Sequence, residues 1–333
     1  MKTAYYLPQP ILTNETLEAI YASASWTASK IYRKTGIKSR HVASAELVSD
    51  MAVKASKSLF SEYGVSPSEI DFVLLCTQSP DYFLPSTACI VQERLGISTL
   101  AGALDYNLGC SGYIYGLAMA KGLLCAGVAS NLLLITSETY TKHIHPLDRS
   151  TRTVFGDGAS ATLLTKSDAE RIGEFVLCTD GKGAQSLIVP AGGMAMPRTD
   201  DTAEEHEDAS GNIRSLDNIY MNGPEIYAFT LRTLPGLIED ILIKNHTTME
   251  EIDYVILHQA SKLVLTSLRD KLNIPDDKFC IDIEEIGNTV SSTIPIALKR
   301  AIERKNPKVQ TGCKILIAGF GVGYSWGGTI IIL

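Results

Sequence analysis

With 333 residues, 45% of them hydrophobic and 20% charged, the chain is long enough for one large or two ordinary domains with a substantial core. A formal net charge of −7 sets up no global basic field, so neither nucleic acid nor an anionic membrane surface is an expected partner. Its longest apolar runs, such as 132-LLLI-135 and 330-IIIL-333, are far too short to cross a bilayer, and the opening MKTAYYLPQPILTNETL lacks the apolar core of a secretory signal. Seven cysteines make an odd count with no two within four residues of each other, which argues against a disulfide framework and for a reducing, cytoplasmic setting. His143 and His145 form an isolated H-x-H with no third ligand nearby, so no metal is expected.

Along the chain, the first strong pattern is 68-SEIDFVLLCTQS-79: an acidic helix end, an Ile-Asp pair, an apolar strand and a polar exit. Asp105 then opens a turn through Gly109 and Cys110 into an apolar, helix-patterned run ending near Leu124. An apolar strand follows in 131-NLLLITSE-138, then a Gly-rich turn and another strand in 155-FGDGASATLLT-165. The stretch 198-RTDDTAEEHEDASGNIRSLDN-218 carries six carboxylates between Asp200 and Asp208 and almost no large apolar residue, the composition of a solvated surface loop. At 250-EEIDYVILHQAS-261 the first pattern returns, 182 residues on. Asp282 opens a turn through Gly287 and Asn288 into the helix-patterned 289-TVSSTIPIALKRAI-302, and 314-KILIAGF-320 and 321-GVGYSWGGTIIIL-333 repeat the strand, Gly-rich turn and strand.

The chain therefore reads as a duplication, residues 1–166 carrying the cysteine turn and residues 167–333 carrying His258 and Asn288. Strands alternating with helices argue an α/β fold, and the near-continuous apolar strands argue positions buried on both faces. Cys110 is either a small hydrophobe at a tight turn or a nucleophile; His258 and Asn288, taken singly, fit a hydrogen-bonded structural residue and a helix N-cap. The repeat sets Cys110 opposite Asn288 and puts His258 at a strand end, where ligands gather in α/β sheets. A helix N-terminus would lower a thiol's pKa below its usual ~8.5 and supply backbone N–H groups to an oxyanion, which suits acyl transfer. Cys76, Cys89, Cys125, Cys178 and Cys313 lie within apolar runs and read as packed small hydrophobes. A papain-like peptidase is excluded, because its cysteine lies near the N-terminus in a different local signature.

Seven motifs in order, 35-TGIKSRH-41, 85-PSTACIVQERLG-96, 109-GCSG-112, 155-FGDGASA-161, 258-HQAS-261, 287-GNTVSSTIP-295 and 319-GFGVGYSWGG-328, resemble those of the thiolase-fold condensing enzymes of the β-ketoacyl-ACP synthase III family over nearly the whole chain. The resemblance implies a thiolase-like α/β fold, two similar halves about a pseudo-twofold axis in αβαβα layers. It implies an acyltransferase in which Cys110 takes an acyl group from a CoA or acyl-carrier-protein (ACP) thioester, while His258 and Asn288 hold the enolate of a decarboxylating malonyl thioester. The backbone N–H groups of Cys110 and Val322 would form the oxyanion hole, and Leu84, Phe155 and Phe320 would line or gate the acyl pocket, Leu84 from across a homodimer. No tightly bound cofactor is implied; CoA or 4′-phosphopantetheine thioesters are substrates.

Some positions depart from the family pattern. Ser261 stands for an asparagine near the pantetheine arm, Lys30 for a tryptophan that stacks the CoA adenine, and Pro224 for an asparagine that contacts the cofactor, while that tryptophan's partner arginine is kept as Arg149. Lys262, Arg269 and Lys271, on the helix after His258, would meet CoA phosphates or an acidic carrier protein. The rival readings are an acyltransferase that esterifies or amidates a sugar or secondary metabolite, and a non-catalytic partner subunit of a ketosynthase.

Overall fold

The computed structural model describes all 333 residues. The first half runs β1 (Lys2–Tyr6), β2 (Ile11–Thr13), α1 (Asn14–Tyr21), α2 (Ala28–Thr35), β3 (Ser39–His41), α3 (Val48–Tyr63), β4 (Phe72–Cys76), α4 (Thr87–Leu95), β5 (Gly102–Tyr106), α5 (Gly112–Cys125), β6 (Asn131–Glu138), α6 (Arg149–Arg152) and β7 (Gly158–Thr165). The second runs β8 (Val176–Thr179), β9 (Leu187–Ile188), β10 (His206–Glu207), β11 (Ile213–Arg214), β12 (Tyr220–Met221), α7 (Gly223–Lys244), β13 (Tyr254–Leu257), α8 (Lys262–Lys271), α9 (Thr293–Glu303), β14 (Lys314–Gly321) and β15 (Ser325–Ile332).

Two sheets carry the fold, in the orders β1-β7-β6-β4-β5 and β13-β14-β15-β8. They are built alike. β4 pairs parallel with β6 as β13 does with β14, and β6 pairs antiparallel with β7 as β14 does with β15. A parallel bridge from Val255 to Phe279 sits where β5 flanks β4. Even the approaches match: a short 3-10 turn with a capping box, Pro67–Glu69 or Met249–Glu251, feeds each first strand. Every residue of β4 and β13 is buried, as their unbroken apolar sequence requires of strands covered on both faces.

Three cores separate five layers. Met51, Leu59 and Val91 of α3 and α4 cover the outer face of the first sheet. Between the sheets lie α5 and α9, whose Ile114, Leu117, Ile294 and Leu298 pack with Leu74, Leu134, Ile256 and Ile317. Leu237, Ile241 and Leu265 of α7 and α8 cover the outer face of the second. The result is an αβαβα sandwich with α5 and α9 in the shared middle layer, their N-terminal turns beside the ends of β4, β6, β13 and β14. No helix is long and apolar enough to cross a membrane.

Candidate active site

Cys110 sits two residues before α5, in a turn that lies directly against β14. Two glycines make the approach possible. A Cβ on Gly321 would fall 2.7 Å from Cys110 Cβ and 2.8 Å from its Sγ, and one on Gly319 would fall 2.7 Å from the Cys110 carbonyl oxygen. Ser111 and Ser325 hydrogen-bond across the same seam, and Cys76 packs over Gly112. The backbone N–H groups of Val322 and of Cys110 itself favour the charged form of the thiol, but burial outweighs them and pushes its pKa up to about 12. The expected helix-end activation is thus overturned. Cys110 is only 5% exposed, and removing a thiolate from water costs more than two N–H dipoles return. The resting group is the thiol.

His258 leaves β13 and is 1% exposed; burial drives its pKa down to about 3, so the imidazole is neutral. Its Nδ1 shares a hydrogen bond of 2.7 Å with Thr293 Oγ1, and its ring meets Phe320 edge-on at 5.6 Å between centroids. Asn288 lies on the turn before α9, with Nδ2 3.4 Å from His258 Nε2. The Val290 N–H donates to Asn288 Oδ1 at 2.9 Å, which directs the Asn288 amide nitrogen toward the imidazole. A parallel bridge joins Asn288 to Phe155, and Phe155 and Val290 pack in one cluster with Cys110. So His258 and Asn288 touch each other, and Cys110 from the other half packs in one cluster with Val290 and with Phe155, the residue that bridges Asn288.

Cys110 belongs to a buried cluster with Tyr140, Ile144, Phe155, Leu187, Ile219 and Val290. Of the three expected pocket residues, only Phe155 belongs to this cluster. Phe320 faces His258 and is anchored in the outer core with α7 and α8, while Leu84 stands 82% exposed with Phe83 beside it. Tyr140, Ile144, Leu187 and Ile219 were not singled out in the sequence, where each is one apolar residue in a loop or short strand. A further cavity of about 1230 Å³ opens among Met1, Lys121, Cys125, Arg171 and Leu333 and shares no residue with this cluster.

The expected carrier contacts scatter. Ser261 is the N-cap of α8, its Oγ accepting from the Val264 N–H at 3.3 Å. Arg269 is bound to Asp270 and Asp276, both at 2.7 Å. Lys262 and Lys271 are exposed, Lys262 lying over Gly36 at the end of α2. Lys30 donates to the Ala24 carbonyl at 2.7 Å and lines a small cleft with Trp26, Arg33 and Lys34; Trp26 is an aromatic surface the sequence reading passed over. Arg149 opens α6, its guanidinium 5.7 Å from the Tyr21 ring centroid and close under Gly211. Pro224 lies in the first turn of α7, where its missing N–H is no loss.

Nor is 198–218 a free loop. Its β10–β11 hairpin is fastened by Arg214, which bridges Asp208 at 2.7 Å and the fully buried Asp148 at 3.1 Å. The carboxylates do face water, but hydrogen bonds along 143–150 hold the backbone down. Nearby, His145 pairs with Glu205, and His143 bonds the Gln78 carbonyl oxygen. Cys89 and Cys125 are exposed rather than packed, Cys125 because it ends α5 and faces the large cavity.

Comparison with known proteins follows this geometry. The 3-oxoacyl-[ACP] synthase III family matches residues 104–181, and its C-terminal region matches residues 242–333. The β-ketoacyl-[ACP] synthase III of Caldanaerobacter subterraneus subsp. tengcongensis is 36% identical over 333 residues, covering 99% of this chain and 96% of that protein. A solved 3-oxoacyl-(ACP) synthase III is 49% identical, superposes with a TM-score of 0.96 and covers 99% of this chain and 98% of its own. That of Aquifex aeolicus VF5 is 33% identical, with a TM-score of 0.85 over 100% and 98% of the two chains.

Proposed function

The chain belongs to the 3-oxoacyl-[ACP] synthase III family, and from that premise we propose that Cys110, His258 and Asn288 are the catalytic residues of its condensation. The enzyme is an acyltransferase of fatty-acid or related acyl biosynthesis, joining an acyl group to malonyl-ACP with loss of carbon dioxide. The observation that carries the assignment of residues is that a neutral imidazole and a carboxamide 3.4 Å apart in one half lie beside the turn that holds a buried thiol in the other, Val290 and Phe155 packing with Cys110.

In the first step the Cys110 sulfur attacks the carbonyl of an acyl thioester. The new S–C bond forms, the donor's C–S bond breaks, and the proton of the thiol leaves with the departing thiolate. The Cys110 and Val322 N–H groups, which favour negative charge at the sulfur, stabilise the tetrahedral oxyanion. In the second, the malonyl C–CO2 bond breaks and its electron pair enters an enolate whose oxygen accepts from His258 and Asn288. A neutral imidazole suits this role, since it donates a hydrogen bond without giving up its proton. The enolate carbon then attacks acyl-Cys110, the C–S bond breaks, and the released thiolate takes a proton from solvent. The acyl chain lies among Tyr140, Ile144, Phe155, Leu187 and Ile219.

We further assign the halves as 1–166 and 167–333, and the working form as a homodimer. Two features support the dimer: β5 is an unpaired sheet edge, and the exposed Phe83, Leu84 and Leu104 form an apolar rim near it. Carrier thioesters enter over α2 and α8, where Lys30, Arg33, Lys34 and Lys262 supply cations; Arg269 is spent on its own carboxylates.

The test is intact-protein mass spectrometry with a panel of acyl-CoAs and acyl-ACPs, followed by malonyl-ACP. Wild type should gain an acyl mass that disappears as a 3-ketoacyl product forms, and Cys110→Ser should gain none. Asn288→Ala should load normally yet fail to release carbon dioxide. Equal loss of both steps in Asn288→Ala would sink this division of labour. An acyl mass that persists with malonyl-ACP but clears with an alcohol or amine would make the protein a transferase to those acceptors.

A further inference from the structure

His258 must present a hydrogen at Nε2 to help Asn288 hold an enolate oxygen, and nothing in the imidazole itself decides that. A neutral ring carries one hydrogen, and whatever faces the other nitrogen selects its place. Here the group facing Nδ1 is the Thr293 hydroxyl at 2.7 Å; Thr293 is 3% exposed, so water does not compete freely there. The hydroxyl has one proton and two acceptors within reach, His258 Nδ1 and the Val290 carbonyl oxygen at 3.1 Å.

The two choices have opposite consequences. If the proton goes to Val290, Nδ1 must carry the imidazole hydrogen, and Nε2 becomes a bare lone pair facing the Asn288 amide. If it goes to Nδ1, the shorter contact, the imidazole hydrogen lies on Nε2. Two donor nitrogens 3.4 Å apart then aim at one spot, a separation that an oxygen at ordinary hydrogen-bond distance from both can bridge. The Asn288 amide is already turned for that purpose, because its oxygen is occupied by the Val290 N–H. Val290 holds a left-handed backbone, φ 55°, costly for a β-branched residue, so this turn keeps a particular shape. The turn before α9 and the helix's first residue thus set both donors, Asn288 through the Val290 N–H and His258 through the Thr293 hydroxyl.

We propose that Thr293 is a positioning residue for the condensation: its hydroxyl donates to His258 Nδ1 and fixes the Nε2–H tautomer that faces the malonyl thioester. The inference rests on the reading of His258 and Asn288 given above. It goes beyond that reading by naming the group that makes the imidazole a donor.

The experiment compares wild type, Thr293→Val and Thr293→Ser, in ¹⁵N-histidine-labelled protein, with His258→Asn supplying the assignment. ¹⁵N NMR reads the tautomer, mass spectrometry reads acyl loading, and carbon dioxide release reads decarboxylation of malonyl-ACP. Wild type and Thr293→Ser should show the Nε2–H tautomer. Thr293→Val should load Cys110 within about 2-fold of wild type, lose the tautomer preference and slow decarboxylation by roughly 10-fold or more, in kcat rather than KM. An Nδ1–H tautomer in wild type, or full decarboxylation by Thr293→Val, overturns the proposal. Should Thr293→Val fail to fold, the wild-type and Thr293→Ser spectra still decide. His258→Ala and Asn288→Ala separate the two layers: if both decarboxylate normally the underlying site assignment falls, and if only Thr293→Val does, the tautomer assignment alone falls.

Discussion

Cys110 depends on two glycines far from it in sequence. Gly319 and Gly321 let β14 run beneath the turn so closely that a single methyl group on either would collide with Cys110. The reward is position and the cost is acidity: the same enclosure that aims the sulfur raises its pKa to about 12. On the mechanism proposed above, reactivity then rests on the N–H groups that meet the developing oxyanion, and not on a standing thiolate. We therefore expect Gly321→Ala to keep the fold but misplace the sulfur by some tenths of an ångström, slowing acyl loading by roughly 10-fold or more. Mass-spectrometric loading rates beside a melting curve check this; unchanged loading would show that the contact is slack.

At the level of elements, equivalent pieces of the duplication have taken different work. Asp105 and Asp282 occupy matching places, yet Asp105 accepts from the Thr87 and Ala88 N–H groups at the start of α4, while Asp282 pairs with Arg300 on α9 and with Arg304, its C-cap. The segment 198–218 has no counterpart in the repeat described above, and one arginine fastens it. Arg214→Ala would strip the partner from the buried Asp148 and free the β10–β11 hairpin. A loss of about 3 kcal/mol is expected, together with new proteolytic cuts between residues 198 and 218. Cuts elsewhere, or a melting temperature within a degree of wild type, would contradict it.

Across the whole molecule, the two halves are tied by a carboxyl group outside the proposed catalytic set. Glu138, fully buried at the end of β6, accepts from the Gln78 N–H and the Ser79 hydroxyl on one side and from the Ser291 hydroxyl, three residues past Asn288, on the other. Burial outweighs these donors and raises its pKa to about 8. The native state therefore holds a proton that the unfolded chain, with a carboxyl near 4.5, has released. Its contribution is complete below pH 4.5 and is lost as pH rises through 8. Asp157, raised to about 6, acts with the same sign at lower pH, whereas His258, lowered to about 3, withdraws stability as pH falls below 6.5. Wild type should accordingly lose melting temperature between pH 4.5 and 8 and level off above that, and Glu138→Gln should flatten that decline by an amount on the order of a few kcal/mol. Parallel curves for the two proteins would place the titration elsewhere.

Most of the architecture was legible in one dimension because its signals are local. Apolar runs of strand length, Gly-rich turns and a pattern recurring after 182 residues announce two like α/β units, and a repeat by itself sets the cysteine turn opposite the asparagine turn. The three side chains proposed as catalytic could be singled out for that reason. The rest is settled by packing between segments distant in sequence. No pattern links Tyr140, Leu187 and Ile219 to Cys110, or Thr293 to the ring of His258, or Arg214 to Asp148. Charge state is decided there too: the sequence puts a thiol at a helix mouth and predicts activation, while the tertiary structure buries it and reverses the sign. Periodicity and turn chemistry act between near neighbours, and so can be read from the chain. Desolvation depends on everything that surrounds a group, and only the folded molecule supplies it.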